Sequence, residues 1–457
     1  MKKFSRVLIA NRGEIALRII RACREFGLET ILAVSEADRK SLPAKMADRC
    51  VIIGPPRPID SYLRIETLIS AALGCGAEAI HPGYGFLAER PEFSEACGEK
   101  GLVFIGPKPE QIRRMGDKIQ ARRMAQQLGV PVIPGSKHIE TLSAAAEAAD
   151  RLGYPVLIKA AAGGGGRGMK LVPKTEDLGP AFTEAAAEAR EAFGDDRLYL
   201  EHYITNARHI ELQVMGDAWG NLRHFFERDC SVQRRHQKMV EEAPCPVLTP
   251  ALRQEMIDAA LAIARHIQYL NAGTIEFIYD QDFKKFYFLE MNTRIQVEHP
   301  VTEMITGADL VREQIRIARG EEISYPQEEI SFAGHAIECR INAETPEAGF
   351  RPSPGEIQAW KAPAGPDIRL DTHCYAGYFV PPYYDSLLAK LIAKGSSRSE
   401  AISAMDRALG EFHISGIDTT ISFCRRIMQN DRYRRGTIST NWIESTFGPM
   451  PANGGGG

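Results

Sequence analysis

The sequence lacks a surplus of charge of either sign. Its formal net charge of -3 leaves no global basic field to draw in nucleic acid or an acidic lipid surface, so an anionic substrate would have to be held by a local cluster. No C-x-x-C pair occurs among its nine cysteines (Cys23, Cys50, Cys75, Cys97, Cys230, Cys245, Cys339, Cys374 and Cys424), which argues against a zinc ribbon or a thioredoxin-type site. Their odd number and lack of a framework fit a reducing compartment. Long apolar runs are absent, so no segment reads as a bilayer span. At the start, the apolar stretch Val7 to Ala10 is too short for a signal peptide, and Asn11-Arg12-Gly13-Glu14 ends it. Internal repeats are absent too. What is present is ordinary: 44% apolar and 25% charged residues, the balance of a globular protein. A cytoplasmic enzyme with neither a nucleic-acid nor a membrane partner is the expectation.

The 457 residues suggest about two to four domains. Arg6 to Ala10 reads as a strand, Glu14 to Phe26 as a helix with Ile15, Ile19, Ile20 and Cys23 on one face, and Glu29 to Val34 as a second strand. This β-α-β start predicts a parallel, Rossmann-like sheet, continued by Ala77 to Ile80 and Val103 to Ile105, in an α/β domain over 1–115. A second unit follows, with helices at Lys118 to Leu128 and Thr141 to Leu152 and strands at Val156 to Ala160 and Met169 to Val172. Strands and a long helix, Pro250 to Ile267, carry most of the charged chemistry up to about residue 325. After Tyr325-Pro326, short strands with Pro and Gly punctuation predict a β-rich terminal domain, with a helix from Arg398 to Phe412. The tail, 449–457, is low in complexity and is expected to be disordered.

Gly163 to Gly166, Arg167 and Gly168 lie between two predicted strands. Consecutive glycines leave backbone N–H groups free to wrap phosphate oxygens. The run is not a Walker A loop, since no Gly-Lys-Ser/Thr leads into a helix, and the spacing of a dinucleotide fingerprint is missing. A flexible linker is the alternative; tight bracketing by strands and by Lys159 and Arg167 disfavours it.

The strongest local signal is a hairpin. Thr274 to Tyr279 and Lys285 to Met291 are strands joined by Asp280-Gln281-Asp282, and a turn centred near Phe283 puts Glu276 directly across from Glu290. Like charges directly opposite on a sheet are destabilising. A divalent cation between them reverses that sign, and Mg²⁺ favours one or two carboxylates plus nucleotide phosphates. Asn292 shares a face with Glu290 and can add a carbonyl ligand. In extended form Arg294, Gln296 and Glu298 continue that face, setting a planar cation suited to an oxyanion beside a possible base. A solvated face and a surface ion pair are the bland alternatives. Glu227 to Lys238 is dense in donors, among them Gln233, His236 and Gln237, and by itself reads equally as a charge run or a nucleotide contact.

Together these segments resemble the biotin carboxylase family of the ATP-grasp superfamily, almost end to end. The resemblance rests on Ile9-Ala10-Asn11-Arg12-Gly13-Glu14-Ile15-Ala16, His81-Pro82-Gly83-Tyr84-Gly85-Phe86-Leu87, Met115-Gly116-Asp117-Lys118, the glycine run, Gln233 to Pro244, Glu290 to Glu303, and Val380-Pro381-Pro382-Tyr383-Tyr384-Asp385-Ser386. It implies an N-terminal domain over 1–115, an ATP-grasp domain over 116–325 with a lid over 131–203, and a C-terminal domain over 333–440. It implies ATP with Mg²⁺ or Mn²⁺, two ions in all, bound by Glu276, Glu290 and Asn292. Lys118, Lys159, Gly165 and Gly166 would meet the nucleotide; Glu201, His202, Tyr203 and Ile204 would line adenine; His209, Gln233, His236 and Gln237 would hold ribose and phosphate. Lys238, Arg294, Gln296 and the Val297 backbone would hold bicarbonate, Glu298 would be its base, and Arg340, with Tyr84 nearby, would stabilise the biotin enolate.

The sequence departs from the family pattern at His202, often Lys, and Ala162, often Gly; neither change removes a catalytic group. The only Met-Lys pairs are Met1-Lys2 and Met169-Lys170, neither in a biotin-accepting context. The resemblance therefore implies a biotin carboxyl carrier protein and a carboxyltransferase on separate chains, and a homodimer. The acceptor served, acetyl-CoA, propionyl-CoA or pyruvate, stays open. Rivals are another ATP-grasp ligase, a non-catalytic nucleotide-binding protein, and a dinucleotide-dependent oxidoreductase.

Overall fold

The computed structural model describes residues 3–161 and 169–448. Gly165, Gly166, Ala162 and the tail 449–457 lie outside the described residues.

The first unit is a parallel sheet of β1 (Arg6–Ile9), β2 (Glu29–Val34), β3 (Arg49–Ile52), β4 (Ala79–His81) and β5 (Val103–Phe104), in the order β3-β2-β1-β4-β5. Period-two alternation splits β1 between two cores. Val7 and Ile9 pack with Ile15, Ile19 and Ile20 of the helix Gly13–Glu25, while Leu8 packs with Ile31, Ile80, Leu68 and Phe93 on the other face. Both faces are covered, as parallel sheets require.

The second unit is an antiparallel sheet of β6 (Val156–Ala160), β7 (Met169–Val172) and β8 (Leu198–His202), in the order β7-β6-β8. Its own core joins Ile158 and Leu200 to alanines of the helices Leu142–Leu152 and Leu178–Phe193.

The third sheet is the scaffold of the charged residues. It contains β9 (Ala207–Gly216), β10 (Leu222–Arg234), β11 (Gln237–Ala243), β12 (Asn271–Asp280), β13 (Lys285–Asn292), β14 (His335–Asn342), β15 (Ile368–Thr372) and β16 (Leu387–Gly395). The order is β13-β12-β9-β10-β11-β14-β16-β15, antiparallel throughout. The sheet runs unbroken through the sequence punctuation at Tyr325-Pro326, because β14 pairs with β11 and the C-terminal strands extend the same ladder. The terminal region also holds helices Ile421–Gln429 and Trp442–Phe447, which the Pro and Gly pattern did not announce.

Along β9 the faces separate cleanly. Ile210, Leu212 and Val214 pack onto the helix Pro250–His266, whereas His209, Glu211 and Gln213 point to the opposite side and are also buried. Buried polar side chains on one whole face require partners, which is where the site forms. No helix among the described residues is long and apolar enough to cross a membrane.

Candidate active site

A cavity of about 850 Å³ opens between the three-stranded sheet and the polar face of the eight-stranded sheet, with loops of the first and last units closing its far end. Every described residue singled out from the sequence as a site residue lines it. At one end stand Lys118, Lys159, Glu201, His202, Tyr203 and Ile204, with apolar walls from Ile133, Leu157, Met169, Ile278 and Leu289. His209, Gln233, His236, Gln237, Glu276, Glu290 and Asn292 form its middle; Lys238, Arg294, Gln296, Val297, Glu298, Arg340 and Tyr84 form the other end.

Glu276 and Glu290 are direct register partners, as expected, but the pairing is reached differently. Asp280 to Phe277 pair with Lys285, Phe286, Tyr287 and Phe288, and the register then skips Leu289. This bulge changes which side each residue faces. Phe288 is thereby directed into the core with Phe277, while Glu290 turns to the cavity. Glu276 also lies opposite Glu211 on β9, and Glu211 lies opposite Arg228 on β10, so a row of charged residues crosses four strands.

Each carboxylate has a close nitrogen partner. Lys118 Nζ lies 2.6 Å from Glu290. His209 Nε2 is 2.9 Å from Glu276 Oε2, and Arg228 Nε is 2.5 Å from Glu211. Lys238 is the hub: its Nζ donates to Glu211 at 2.6 Å, Glu276 at 3.1 Å and Glu298 at 2.7 Å. Burial disfavours the ammonium, but these three carboxylates outweigh it and hold Lys238 protonated. A bulge aims this side chain as well. The β10–β11 register passes from Gln233–Lys238 to Val232–Val240, skipping Met239, so Lys238 and Glu241 share a face although three residues apart. The donor-dense run is thus a hairpin, not a solvated charge run. Its two-residue tip, Arg235-His236, has positive φ at both positions, the turn that matches strand twist. Arg228 is fully buried.

The expected extended run from Arg294 to Glu298 does not form. Strand β13 ends at Asn292, residues 293–298 bend, and Glu298 precedes the helix His299–Thr306. The bend still gathers the side chains. Arg294 donates to Glu89 at 2.7 Å, Gln296 at 2.7 Å and Asn292 Oδ1 at 3.1 Å. Asn292 and Gln296 donate to Glu276 Oε1 at 2.8 and 3.2 Å. The Val297 carbonyl accepts from Lys390 at 2.9 Å, which fixes that peptide. Glu298 accepts from Lys238 on one oxygen and from Arg340 on the other at 3.0 Å. Burial pushes its carboxyl up, but Lys238, Arg340 and Arg228 together hold it well below the usual carboxylate range, so it is ionised.

Tyr84 reaches the cavity because two sequence motifs meet. The Asn11 amide donates to the carbonyls of Pro82 and Tyr84, both at 2.7 Å, and the Tyr84 hydroxyl donates to Glu14. Gly83 and Gly85 have φ of 63° and 68°, which a side chain would strain. At the Lys118–Lys159 end of the cavity, Glu201 is buried between Lys159, 2.8 Å away, and Arg122.

Sequence reasoning missed the supporting groups Glu14, Glu89, Arg122, Glu211, Arg228, Glu241, Glu338 and Lys390. Glu211 had a signal: polar residues alternate with apolar ones from His209 to Val214. The others are set by long-range pairing and had none.

The donor chemistry suits a hard divalent cation. Glu276 and Glu290 are direct cross-strand partners that both line the cavity, and they offer it hard carboxylate oxygens. Ligand atoms of His209, Glu211 and Glu276 also converge within 4.8 Å of one another, so Glu276 belongs to two donor sets.

Three family models match consecutive stretches: "Biotin carboxylase, N-terminal domain" over 3–112, "Carbamoyl-phosphate synthase L chain, ATP binding domain" over 117–325, and "Biotin carboxylase C-terminal domain" over 338–445. The chain is 53% identical over 443 residues to a biotin carboxylase of Nostoc, covering 97% of this chain and 99% of the relative. It is 52% identical over 442 residues to a pyruvate carboxylase subunit of Methanothermobacter thermautotrophicus, covering 96% and 90%. Among solved structures, the biotin carboxylase–β,γ-ATP complex of Campylobacter jejuni aligns with a TM-score of 0.95 at 47% identity, covering 97% of this chain and 99% of the other. The biotin carboxylase domain dimer of Hydrogenobacter thermophilus 2-oxoglutarate carboxylase, with MgADP, ADP and bicarbonate, aligns with a TM-score of 0.95 at 47% identity, covering 99% and 100%.

Proposed function

The chain belongs to the biotin carboxylase family and is an ATP-dependent ligase, and from that premise we propose that its cavity carboxylates carrier-bound biotin with bicarbonate, as the first half-reaction of an acetyl-CoA carboxylase. The observation that carries this reading is the unbroken chain of contacts from Glu276 through Lys238 to Glu298 and on to Arg340.

ATP would lie with adenine between the apolar walls and Glu201–Ile204, its ribose and phosphates toward His209, Gln233, His236 and Gln237, and its polyphosphate toward Lys118 and Lys159. Glu276 and Glu290, with Asn292, would hold Mg²⁺ or Mn²⁺, which neutralises polyphosphate charge. Bicarbonate would lie against Arg294, Gln296, the Val297 backbone and Lys238. Glu298 takes its proton, a bicarbonate oxygen bonds to the γ-phosphorus, and the bond to the β–γ bridging oxygen breaks, giving carboxyphosphate and ADP. The cations that keep Glu298 ionised also weaken it as a base. Anionic substrates against Lys238 and Arg340 would offset them and raise its basicity toward what the step needs. The C–O bond of carboxyphosphate then breaks to give CO₂ and phosphate, the phosphate takes the ureido proton of biotin, and the nitrogen so freed bonds to CO₂ while Arg340 faces the developing oxyanion.

This reading divides the chain into domains over 1–115, 116–325 and 333–440, with 131–203 as lid, Gly165 and Gly166 included. It assigns a cytoplasmic homodimer served by a separate carrier protein and carboxyltransferase. A second reading, the biotin carboxylase component of a pyruvate carboxylase, is supported by the Methanothermobacter relative. Bicarbonate-dependent ADP release, with and without free biotin, tests the chemistry: stimulation by biotin is expected, and indifference to biotin would favour another ATP-grasp ligase. Identifying the carrier chain that co-purifies separates the two contexts.

A further inference from the structure

A second pair of carboxylates stands behind Arg340. Glu241 on β11 and Glu338 on β14 are direct register partners, and both are fully buried. Glu241 Oε1 accepts from Arg340 Nε at 2.6 Å. Its Oε2, and both oxygens of Glu338, have no hydrogen-bond partner among the described residues. The nearest cations are engaged elsewhere: Arg340 Nη2 reaches Glu298 at 3.0 Å, and Lys390 Nζ lies 2.9 Å from the Val297 carbonyl and 3.1 Å from Glu14.

Two ionised carboxylates directly across strands repel, and buried acceptors without donors are costly. One proton removes both difficulties. Side chains of direct cross-strand partners project side by side, so a protonated Glu338 can donate to Glu241 Oε2, as two carboxylates sharing a site commonly arrange. We propose that Glu241 and Glu338 hold a single proton between them, and that this dyad is the positioning element that sets the Arg340 guanidinium across Glu298. The groups facing the pair agree. Burial pushes Glu338 well up, with Lys390 and Arg340 opposing and Glu241 and Glu298 adding to the rise. Burial pushes Glu241 up to about 7, against Arg340 and Lys238 and with Glu298.

The consequence concerns charge. With both acids ionised, Arg340 would face three carboxylates and be over-neutralised. With one proton held, Glu241 fixes Nε, Glu298 meets Nη2, and the rest of the guanidinium can answer new negative charge. This role rests on the reading of Arg340 as the cation at the biotin oxyanion.

The test begins with the full-length ligand-free protein at neutral pH. Infrared spectra in H₂O and D₂O should show a deuterium-sensitive carboxylic-acid carbonyl band that Glu338→Gln removes. A Glu338→Gln spectrum unchanged in that band overturns the shared proton whatever the enzyme's activity. For positioning, Glu338→Leu should lower biotin-dependent kcat by about tenfold or more, the scale of a small misplacement, with KM for ATP held, and Glu338→Gln, which keeps a donor toward Glu241, should restore most of it. Equal kcat in Gln and Leu variants overturns the positioning role. If the parent enzyme shows no response to biotin, the reading of the site fails, while the infrared result still decides the dyad.

Discussion

Replacing Lys238 by Met removes the ammonium shared by Glu211, Glu276 and Glu298. At 2.7 Å from Glu298 and an effective dielectric of about 20, the lost attraction is about 6 kcal/mol, or about 4 pH units on the carboxyl. Arg340 at 3.0 Å remains, as does Arg228 behind it, so a rise of about 2 to 4 units is expected, the larger figure being a ceiling. In the parent, Glu298 is held well below the usual carboxylate range and stays ionised throughout the working range. In the variant the acid limb of the rate moves up toward neutrality. Bicarbonate-dependent ADP release is measured from pH 6 to pH 8 at saturating ATP and Mg²⁺. Any loss of rate on going from pH 8 to pH 6 should be larger in the variant than in the parent, which shows no such limb. KM for bicarbonate should rise about tenfold to a hundredfold at every pH, since a charged contact is also gone. A variant whose acid limb coincides with the parent's refutes the coupling and leaves Lys238 as an anion contact only.

Arg340→Ala should lower biotin-dependent turnover by roughly 10²–10³, the scale of losing one oxyanion donor, and turnover near the parent's would remove Arg340 from that role. Glu242 is buried, which raises its carboxyl, but Arg398 at 2.6 Å and His335 at 2.7 Å outweigh that and bring it to about 2 from the ordinary 4.5. That shift contributes about 3 kcal/mol above pH 4.5, lost as pH falls toward 2, so the gap in thermal midpoint between parent and Glu242→Gln should narrow from pH 6 to pH 3. A constant gap would contradict it. Gly83→Ala places a Cβ 2.9 Å from Asn11 Nδ2 at a φ of 63°, so it should cost about 1–2 kcal/mol in strain and displace the amide that sets Tyr84. A lower thermal midpoint together with slower biotin-dependent turnover is expected; a lower midpoint alone would separate Tyr84 from the reaction.

The sequence made the site legible where contacts are local. The turn after Asp280 brings Glu276 and Glu290 together within one hairpin, and alternation along the strands carries that signal. The skipped Leu289 and Met239 were not legible, because a bulge is decided by which face the core claims, and Phe288 is claimed by a core built from distant residues. The same limit applies to Glu227–Lys238. In sequence it is a run of charges; in the fold Arg228 has no exposed surface, because Glu211, Gln213, Thr274 and Thr302 meet it from three other segments. The β-α-β start was read correctly, since each strand there is a short apolar run followed by a helix. The β-rich character of the terminal region was legible too, but not the ladder its strands join, because punctuation marks turns and carries no information about strand partners.

A sheet that places carboxylates opposite one another on Glu290–Glu276, Glu276–Glu211 and Glu241–Glu338 must neutralise each pair, and the means differ with position. Glu211 is fully buried and is met by Arg228, a permanent cation with no exposed surface. Glu290 and Glu276 face the cavity and are met by Lys118 and Lys238, ammonium groups on long stems that an arriving cation–phosphate pair would re-partner. Glu241 and Glu338 are equally buried, Arg340 gives the pair its one hydrogen bond among the described residues, and there the proposed proton is the remaining counter-charge. Glu211 and Glu241, both fully buried, each hold in place a cation, Lys238 and Arg340, that lines the cavity.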